Sequence, residues 1–161
     1  MRFAAVVYLI RQNEGRTEVC LARKKRKYGA EWLHGYGGII VPPETSSQCA
    51  ARECREESTV QVSEAALRRI AVVSTFTWQG EPWRVHMFRC DSWTGEPKES
   101  DECGPPEWFA VSDLPYDRMF PDREYWMDRA LRGSVVHAQI WLSENGREVH
   151  MAHLGALPEE F

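Results

Sequence analysis

Apolar and polar positions divide the chain into short segments of strand-like and helix-like periodicity. Residues 3–10 (FAAVVYLI) form a continuous apolar run rich in β-branched and aromatic side chains, which is typical of a buried strand. Residues 12–15 (QNEG) have the composition of a turn, and residues 17–23 resume as a second strand. The chain is therefore predicted to begin with a β-hairpin.

Further strands follow from alternation and from turn residues. They are predicted at residues 39–41, 70–78, 83–90, 108–111, 135–142 and 147–154. QGEP at 79–82 joins the second and third of these as a hairpin, and ENG at 144–146 joins the last two. Pro121 at a first helical position predicts a helix that runs to about Arg132 and stops near Gly133.

Another helix is predicted after the Pro42-Pro43 loop. Thr45 and Gln48 have the spacing of a capping box, with Thr45 as the N-cap. One face of this helix carries small residues that can lie close to a sheet: Ser47, Ala50, Ala51, Cys54 and Ser58. Glu53, Glu56 and Glu57 lie together on a second face because they stand at i, i+3 and i+4.

Three glutamates on one helical face repel one another by roughly 0.2–0.5 kcal/mol per pair. A cation beside them would relieve that repulsion, and carboxylate oxygens without His or Cys suit a hard divalent ion such as Mg²⁺ or Mn²⁺. The alternative is an amphipathic surface helix whose glutamates face water. Taken alone, the three glutamates favour that alternative.

Two segments before this helix add chemistry. Residues 23–27 (RKKRK) are five consecutive cations, which are either a solvated strand end or partners for a polyphosphate. A strand would point Lys24 and Arg26 to one side. Residues 28–36 (YGAEWLHGY) form an aromatic loop suited to binding, although its aromatic residues could equally belong to the core. Gly37-Gly38 allows close backbone approach.

Length and composition restrict the remaining possibilities. The 161 residues fit a single domain, 1–161, and a net charge of −4 gives no general reason to expect nucleic-acid or membrane binding. No apolar run reaches the length of a membrane span. Five cysteines without a Cys-x-x-Cys motif favour reduced thiols and a cytoplasmic location. The odd spacing of His150 and His153 argues against a zinc site on a strand.

The segment from Gly38 to Val60 resembles a known motif. Gly38, Glu44 and the run Arg52-Glu53-Cys54-x-Glu56-Glu57-x-Thr59-Val60 match the Nudix box at every defined position except Thr59, where the family has Gly. KKRKYGAEW, GEP, ESDE, WF and MFPDREYW further resemble the MutT-homologue subgroup, whose members include hydrolases of oxidised purine nucleoside triphosphates. The resemblance implies an α+β Nudix fold, a mixed β-sheet sandwiched between helices with added β-hairpins.

The resemblance also implies roles for the box residues. Glu53, Glu56 and Glu57 would bind Mg²⁺ or Mn²⁺, with the Gly37 carbonyl as a further possible ligand. Glu56 and Glu102 are the two candidates for activating the attacking water. Arg52 is expected to pair with the glutamates, and Glu44 is expected to brace the loop. Gly38 is expected to be the structural glycine of the box in the Gly-rich turn, and Lys24 is expected to contact phosphate.

The expected base pocket consists of Tyr28, His34, Phe76, Trp78, Phe120, Asp122 and Arg123. At three of these positions the chain departs from the subgroup's pattern. This chain has His34, Phe120 and Arg123. The mammalian representative of the subgroup has Asn, a stacking Trp and a second acid at the corresponding positions. A guanidinium only donates hydrogen bonds, whereas a neutral carboxyl can share them with an oxidised purine. The resemblance therefore implies a purine nucleoside triphosphate as the substrate, without implying specificity for 8-oxoguanine.

The leading hypothesis is a Mg²⁺-dependent nucleotide pyrophosphohydrolase that converts a purine nucleoside triphosphate, normal or oxidised, into the monophosphate and pyrophosphate. Two alternatives remain. One is a Nudix hydrolase of a nucleotide sugar, a dinucleotide or capped RNA, and the other is a non-catalytic nucleotide-binding module. The expected partner is a small nucleotide, without a stable nucleic-acid partner or a membrane, and the expected state is a monomer.

The exception at Thr59 gives a structural prediction. Gly at this position would end the helix in the left-handed conformation. A β-branched Thr there would lose about 1–2 kcal/mol, so Thr59 is predicted to keep a negative φ.

Overall fold

The fold is organised around a mixed β-sheet that has an α-helix on each face. The computed structural model describes residues 1–156. Its strands are β1 (Arg2–Asn13), β2 (Arg16–Arg23), β3 (Leu33–His34), β4 (Tyr36–Ile39), β5 (Leu67–Phe76), β6 (Trp83–Cys90), β7 (Glu107–Ala110), β8 (Val136–Leu142) and β9 (Val149–Ala156). Its helices are α1 (Ser46–Ser58) and α2 (Arg123–Leu131).

The sheet follows the order β3-β2-β1-β6-β5-β8-β9, with β4 also paired to β1 and β7 to β2. The predicted hairpins are confirmed, because β1–β2, β5–β6 and β8–β9 are antiparallel pairs. β1–β6 and β5–β8 are parallel, so the sheet is mixed. The predicted α+β architecture, a mixed sheet between helices with added hairpins, is therefore confirmed.

Alternation along β1 explains why residues 3–10 within it are apolar at every position. Val6, Tyr8 and Ile10 contribute to the core under α2, which also contains Trp126 and Met127. The intervening side chains enter the core under α1, a group made of Ala5, Val7, Leu9, Cys49, Ala50 and Cys54. A strand buried on both faces cannot alternate between apolar and polar residues. The continuous run at residues 3–10 is the consequence.

Helix α1 begins as predicted and ends differently. The Thr45 hydroxyl accepts from the Gln48 amide at 3.2 Å, and the Gln48 side chain accepts from the Thr45 amide at 2.9 Å. At the other end Thr59 has a φ of 68°, so the predicted negative φ is wrong. Tertiary structure outweighs the local strain: Val60 is fully buried, and the Lys98 amide donates to the Ser58 carbonyl at 3.0 Å.

Two other boundaries differ from the sequence prediction. The strand expected at residues 39–41 is β4, Tyr36–Ile39, which ends before the exposed Val41 and the proline loop. Helix α2 starts at Arg123 rather than at Pro121, and Asp122 is its N-cap. The Asp122 side chain does not cap the helix because it is hydrogen-bonded inside the molecule. No helix within residues 1–156 combines the length and the apolar character needed to cross a membrane.

Candidate active site

A cavity of about 360 Å³ opens between β4, which contains Gly37 and Gly38, α1 and the start of α2. Its acidic part contains six charged residues: Lys24, Lys27, Arg52, Glu53, Glu57 and Glu102. Its aromatic part contains Tyr28, His34, Trp83, Phe120, Asp122 and Arg123. Segments that are distant in the sequence thus meet around one cavity.

Arg52 organises the acidic part through a network of carboxylates. Its Nε and Nη2 donate to the two oxygens of Glu44 at 3.0 and 2.7 Å, a bidentate pair. Its Nη1 donates to Glu53 at 2.6 Å and to Glu56 at 3.2 Å. The pair with Arg52 is the main reason that the pKa of Glu44 falls to about 2. Arg52 therefore pairs with three glutamates at once.

Glu44 also fixes the loop before α1. Its Oε1 accepts from the Val41 amide at 2.7 Å, so one carboxylate links this loop to Arg52. Arg52 Nη2 donates in addition to the Ile39 carbonyl at 3.2 Å. The expected brace is thus visible as hydrogen bonds that join the end of β4 to α1.

Gly38 gives the Glu53 carboxylate the space it occupies. A Cβ at this position would overlap the Glu53 side chain, so only glycine lets the carboxylate lie against the β4 backbone. The Glu53 side chain is 13% exposed and has Arg52 as its charged partner. Close packing between β4 and α1 therefore aims Glu53 into the cavity.

Glu57 is the most deeply buried carboxylate of the acidic part, with a residue exposure of 1%. Its Oε2 accepts from the Gly37 amide at 2.9 Å, and its Oε1 lies 3.9 Å from Lys24 Nζ. Burial raises its pKa to about 7, and the lowering by Lys24 and by the Gly37 hydrogen bond does not compensate. A carboxylate so poorly compensated is a natural position for another cation.

Glu56 and Glu102, the two candidate bases, lie in different surroundings. The Glu56 side chain is 53% exposed at the rim, outside the cavity lining, with Arg52 as its ion-pair partner. Glu102 lines the cavity and accepts from Lys27 at 3.1 Å and from Arg26 at 3.2 Å. These two cations lower the pKa of Glu102, and the hydrogen bond from Lys27 has the larger effect.

The basic run does not behave as an extended strand. β2 ends at Arg23, and Lys27 has a φ of 67°, so strand alternation does not continue through residues 24–27. Lys24 and Lys27 line the cavity, whereas Arg26 lies outside its lining. The prediction that Lys24 and Arg26 point to the same side is therefore wrong, because Lys24 lines the cavity and Arg26 does not. Lys24 reaches Glu57, the position expected of a phosphate contact.

The donor set of the acidic part fits a hard divalent cation. Glu53 and Glu57 supply carboxylate oxygens, and the buried Glu57 has one amide donor and a distant ammonium as partners. Among residues 1–156, no three His, Cys, Asp or Glu side chains are already gathered as a metal cluster. In this geometry the Arg52 guanidinium is the cation that pairs with Glu53 and Glu56.

Phe120 lies at the centre of the aromatic part. Its ring centroid is 4.6 Å from that of Trp32, 5.0 Å from that of His34 and 5.7 Å from that of Tyr28. Gly29, at a φ of 84°, allows this packing because a Cβ there would overlap the Phe120 ring. The Tyr28 ring in turn stacks on Trp83 at 6.0 Å. Flat rings therefore form one wall of the cavity.

His34 is buried among these rings and has lost its charge. It is 7% exposed, and its Nδ1 is a buried atom without a hydrogen-bond partner in the described chain. Burial above all, then Arg123 and Lys24, lowers its pKa well below the ordinary value of 6.5. A neutral imidazole faces the cavity at this position.

Asp122 and Arg123 form a buried ion pair beside His34. Arg123 Nη1 donates to Asp122 Oδ2 at 2.5 Å, and the Trp126 indole donates to the same oxygen at 2.8 Å. Arg123 Nε donates to the Tyr8 hydroxyl at 3.2 Å, and its guanidinium lies 5.0 Å from the Phe120 ring centre. Charge, hydrogen bonds and ring contacts all fix Arg123 in place.

Two predicted pocket residues lie elsewhere. Phe76 is outside the cavity lining and stacks on Trp141 at 5.2 Å, and Trp78 is 87% exposed beyond the end of β5. The expected pocket positions of Phe76 and Trp78 are therefore wrong, because Val73 and Thr75 occupy the cavity-facing positions of the alternating strand. The sequence reasoning missed Trp83, whose place opposite Thr75 in the β5–β6 register was the available signal.

Known proteins resemble this chain in sequence and in fold. A model of the NUDIX domain matches residues 1–130. The oxidized purine nucleoside triphosphate hydrolase of Danio rerio is 38% identical over 115 residues, 71% of this chain and 72% of the relative. Its Mus musculus counterpart is 36% identical over 116 residues, with the same coverage.

A solved structure of a mutator MutT protein from Bacillus halodurans has a TM-score of 0.78 and 18% identity. It covers 98% of this chain and 100% of its own, and at this identity it establishes the shared fold. The matched domain and the two sequence relatives indicate the type of reaction. The chain belongs to the NUDIX family and is a hydrolase that acts on phosphoanhydride bonds.

Proposed function

We propose that the protein is a Mg²⁺-dependent nucleoside triphosphate pyrophosphohydrolase. It converts a purine nucleoside triphosphate, normal or oxidised, into the monophosphate and pyrophosphate and so removes unwanted nucleotides from the pool. The observation that carries the proposal is the shared cavity, in which buried carboxylates lie beside Lys24 and a wall of aromatic rings. A triphosphate and a flat base need these two surroundings together.

Glu53, Glu56 and Glu57 are the residues that would hold the metal, with Gly37 on the adjoining strand β4. Bound Mg²⁺ or Mn²⁺ would supply charge neutralisation for the phosphate oxygens and favour ionisation of water. Lys24 contributes a further positive charge, since it lines the cavity and its ammonium lies 3.9 Å from Glu57. The polyphosphate chain is therefore placed along the acidic part, against Lys24.

Of the two candidate bases, the geometry favours Glu56. Glu102 is held by two cations that lower its pKa, which reduces its affinity for a proton. Glu56 has one charged partner, Arg52, and a half-exposed side chain that can turn toward a ligand. We therefore assign proton removal from water to Glu56, and we assign Arg52 and Glu44 to positioning the glutamates.

The purine preference is supported by the relatives, whose names describe hydrolases of oxidized purine nucleoside triphosphates in zebrafish and mouse. Binding of a flat base is supported independently by the aromatic wall formed by Tyr28, Phe120 and Trp83, whose rings offer a stacking surface. That the chain is a single domain, a monomer and a cytoplasmic protein without a nucleic-acid partner stays a prediction from its sequence.

A substrate panel with Mg²⁺ tests the proposed function. It should contain purine and pyrimidine deoxynucleoside triphosphates, their oxidised purine forms, ADP-ribose, a diadenosine tetraphosphate and capped RNA. We expect purine triphosphates to have the highest kcat/KM. Faster cleavage of a sugar nucleotide, dinucleotide or cap would assign the protein to another substrate class. Tight nucleotide binding without any product would indicate a binding module.

A further inference from the structure

Part of the central sheet is left uncovered by α1. The core under α1 takes its strand residues from β1, β2, β4 and the end of β6, and within residues 1–156 neither β8 nor β9 contributes to it. On the opposite side, Val73 of β5, Val85 of β6 and Ala138 of β8 pack in the core under α2, and the first two also line the cavity. Side chains at the alternate positions of these strands therefore form a surface that points away from the cavity.

This surface, the outer face, consists of partly or fully exposed side chains: Phe76, Arg84, His86, Gln139, Trp141 and His153. The strand register joins them into rows across the sheet. Arg84 lies opposite Ser74 on β5, which lies opposite Gln139 on β8. Gln139 lies opposite His153 on β9. Because neighbouring strands are about 4.8 Å apart, the row from β6 to β9 is about 14 Å wide.

The four strands of the outer face contain no acidic residue. Neither Asp nor Glu occurs in β5, β6, β8 or β9, whereas these strands contain eight basic side chains: Arg68, Arg69, Arg84, Arg89, His86, His137, His150 and His153. The net charge of −4 therefore averages over a chain whose acids lie elsewhere. An anionic partner would find its complement on these four adjacent strands.

Arg84 is the central cation of the outer face. Its Nε donates to the Ser74 hydroxyl at 3.2 Å, and no carboxylate within residues 1–156 forms an ion pair with it. His86 stands two residues further along β6. Burial above all, then Arg69 and Arg84, lowers the pKa of His86 to about 4. The charges that act on this imidazole are thus cations, and an anion on the outer face would relieve their mutual repulsion.

Aromatic rings lie beside this row of polar groups. Phe76 and Trp141 stack on each other, with ring centres 5.2 Å apart and an angle of 21° between the ring planes. The register places this pair next to Ser74 and Gln139 on the same face. Trp78, two residues beyond Phe76, is 87% exposed. Unpaired bases stack on rings of this kind, and sheets that carry exposed aromatic residues are a common platform for single strands.

We infer that the outer face binds single-stranded nucleic acid, with phosphates near Arg84 and His153 and unpaired bases stacked on Phe76 and Trp141. Cations beside aromatic rings are the combination that single strands need. An acidic peptide would use the cations alone. A lipid surface would need a continuous apolar patch, which polar side chains interrupt here.

This binding is separate from hydrolysis, because the cavity lies on the opposite face of the same strands. The expectation of no nucleic-acid partner came from the net charge of the whole chain, and the distribution of charge over the strands revises it. With few cations available, the affinity is that of weak, sequence-independent binding, with a Kd on the order of 10⁻⁶–10⁻⁴ M.

Fluorescence anisotropy with a labelled oligo(dT) of about 20 nucleotides, in EDTA and about 50 mM salt, tests the wild-type protein. We expect a Kd in that range, which weakens as salt is added. A duplex of the same length should bind at least about fivefold more weakly, because its paired bases cannot stack. Absence of binding to oligo(dT), or equal binding of the duplex, would overturn the assignment.

Two variants with the same change of charge locate the site. Arg84→Glu should raise the Kd for oligo(dT) about tenfold and reduce the salt dependence by about one phosphate contact. The exposed Arg129→Glu on α2 should bind like the wild type. Equal Kd values for the two variants would contradict the site. If the melting curve shows that Arg84→Glu is unfolded, His153→Glu at the exposed end of the same row replaces it.

Aromatic variants separate the outer face from the cavity. Trp141→Ala should weaken oligo(dT) binding about fivefold or more and leave KM for the best nucleotide unchanged. Trp83→Ala, in the cavity wall, should leave oligo(dT) binding unchanged. The reverse pattern would assign oligo(dT) to the cavity and overturn the outer-face site.

Competition identifies other partners. Polyglutamate that displaces oligo(dT) at equal total charge would indicate an acidic peptide instead. Vesicles of phosphatidylcholine and phosphatidylserine that retain the protein more tightly than oligo(dT) does would indicate a membrane surface. Either result would overturn the assignment to single-stranded nucleic acid, and failure of both competitors would support it.

Discussion

The acidic and aromatic parts of the cavity are built from different kinds of sequence information. The acidic part comes largely from one helix, in which Glu53, Glu56 and Glu57 are placed by helical spacing and by Arg52. The aromatic part gathers side chains from β3, β6, the loop after β2 and the start of α2. Its specificity depends on partners far apart in the chain, such as Tyr8 and Arg123.

The two parts also differ in how their polar groups are satisfied. In the acidic part Arg52 pairs with three carboxylates, and the expected metal would compete with those pairs. In the aromatic part the buried His34 Nδ1 has no hydrogen-bond partner within residues 1–156. We interpret the first arrangement as machinery for the reaction and the second as recognition of the base. Changes in the first should alter kcat, and changes in the second should alter the substrate ratio.

The largest expected effect comes from Glu56→Gln. Loss of the base should lower kcat by about 10²–10⁴-fold. The fold should survive, because the side chain is half-exposed and its charged partner Arg52 keeps Glu44 and Glu53. Single-turnover kinetics and a melting curve measure both outcomes. The exposed Glu124→Gln on α2 is the matched control, and activity retained by Glu56→Gln would remove it from the reaction.

The next effect concerns stability against pH in protein freed of metal by a chelator. Glu57 has a folded pKa of about 7, raised from 4.5 by burial, so the folded state holds its proton to higher pH than the unfolded state does. Its contribution to the free energy of unfolding should fall as pH rises from 4.5 to about 7, by at most about 3 kcal/mol.

His34 acts in the opposite direction, since its pKa is lowered in the fold and neutralisation of the unfolded state favours folding as pH rises. The Glu57 contribution is therefore measured as the difference between wild type and Glu57→Gln in urea unfolding at several pH values. A difference that does not change between pH 4.5 and 7 would mean that Glu57 ionises normally.

Arg52→Lys should have the third-largest effect. An ammonium keeps the charge but cannot form the bidentate pair with Glu44 while also reaching Glu53 and Glu56. We expect kcat to fall by about 10- to 100-fold, as for other residues that orient metal ligands. Arg55→Lys, an exposed position on the same helix, should leave kcat unchanged. Equal rates for both variants would show that the bidentate geometry is dispensable.

Trp83→Ala sharpens the boundary of the aromatic part. Loss of the ring that supports Tyr28 should raise KM for the best purine triphosphate by about tenfold, a typical contribution of one stacking aromatic. Trp78→Ala should leave KM unchanged because Trp78 lies outside the cavity lining. The reverse result would return Trp78 to the binding site and exclude Trp83.

The smallest effect is expected outside both parts, at Thr59→Gly. A β-branched residue at a φ of 68° is strained, and glycine adopts that conformation freely. The free energy of unfolding should rise by about 1 kcal/mol with no change in kcat or KM, measured by urea unfolding and by turnover. A loss of stability would show that the weak contact of the Thr59 hydroxyl with the Glu96 carbonyl matters more than strain.

The sequence predicted what local periodicity controls. The hairpins, the capping box at Thr45 and the glutamate face of α1 follow from spacing alone, and these features are present. Thr59 shows the limit, because burial of Val60 and the Lys98–Ser58 bond impose a left-handed residue that local preference opposes.

The aromatic part was less predictable for a physical reason. Phe76, Trp78 and Trp83 are similar side chains on one hairpin, and only the sheet's orientation relative to α2 decides which face meets the cavity. The Asp122–Arg123 pair is likewise adjacent in sequence, yet its closure depends on Tyr8 and Trp126. Side-chain partners across the core cannot be read from spacing.

The central claim is that the acidic part cleaves the phosphate chain of a purine held by the aromatic part. The most direct measurement is product analysis of dGTP with and without Mg²⁺, by chromatography of the nucleotide and separate assays for pyrophosphate and orthophosphate. The account predicts equal amounts of dGMP and pyrophosphate, formed with Mg²⁺ and lost in Glu56→Gln. Formation of dGDP and orthophosphate, or no reaction with Mg²⁺, would contradict it.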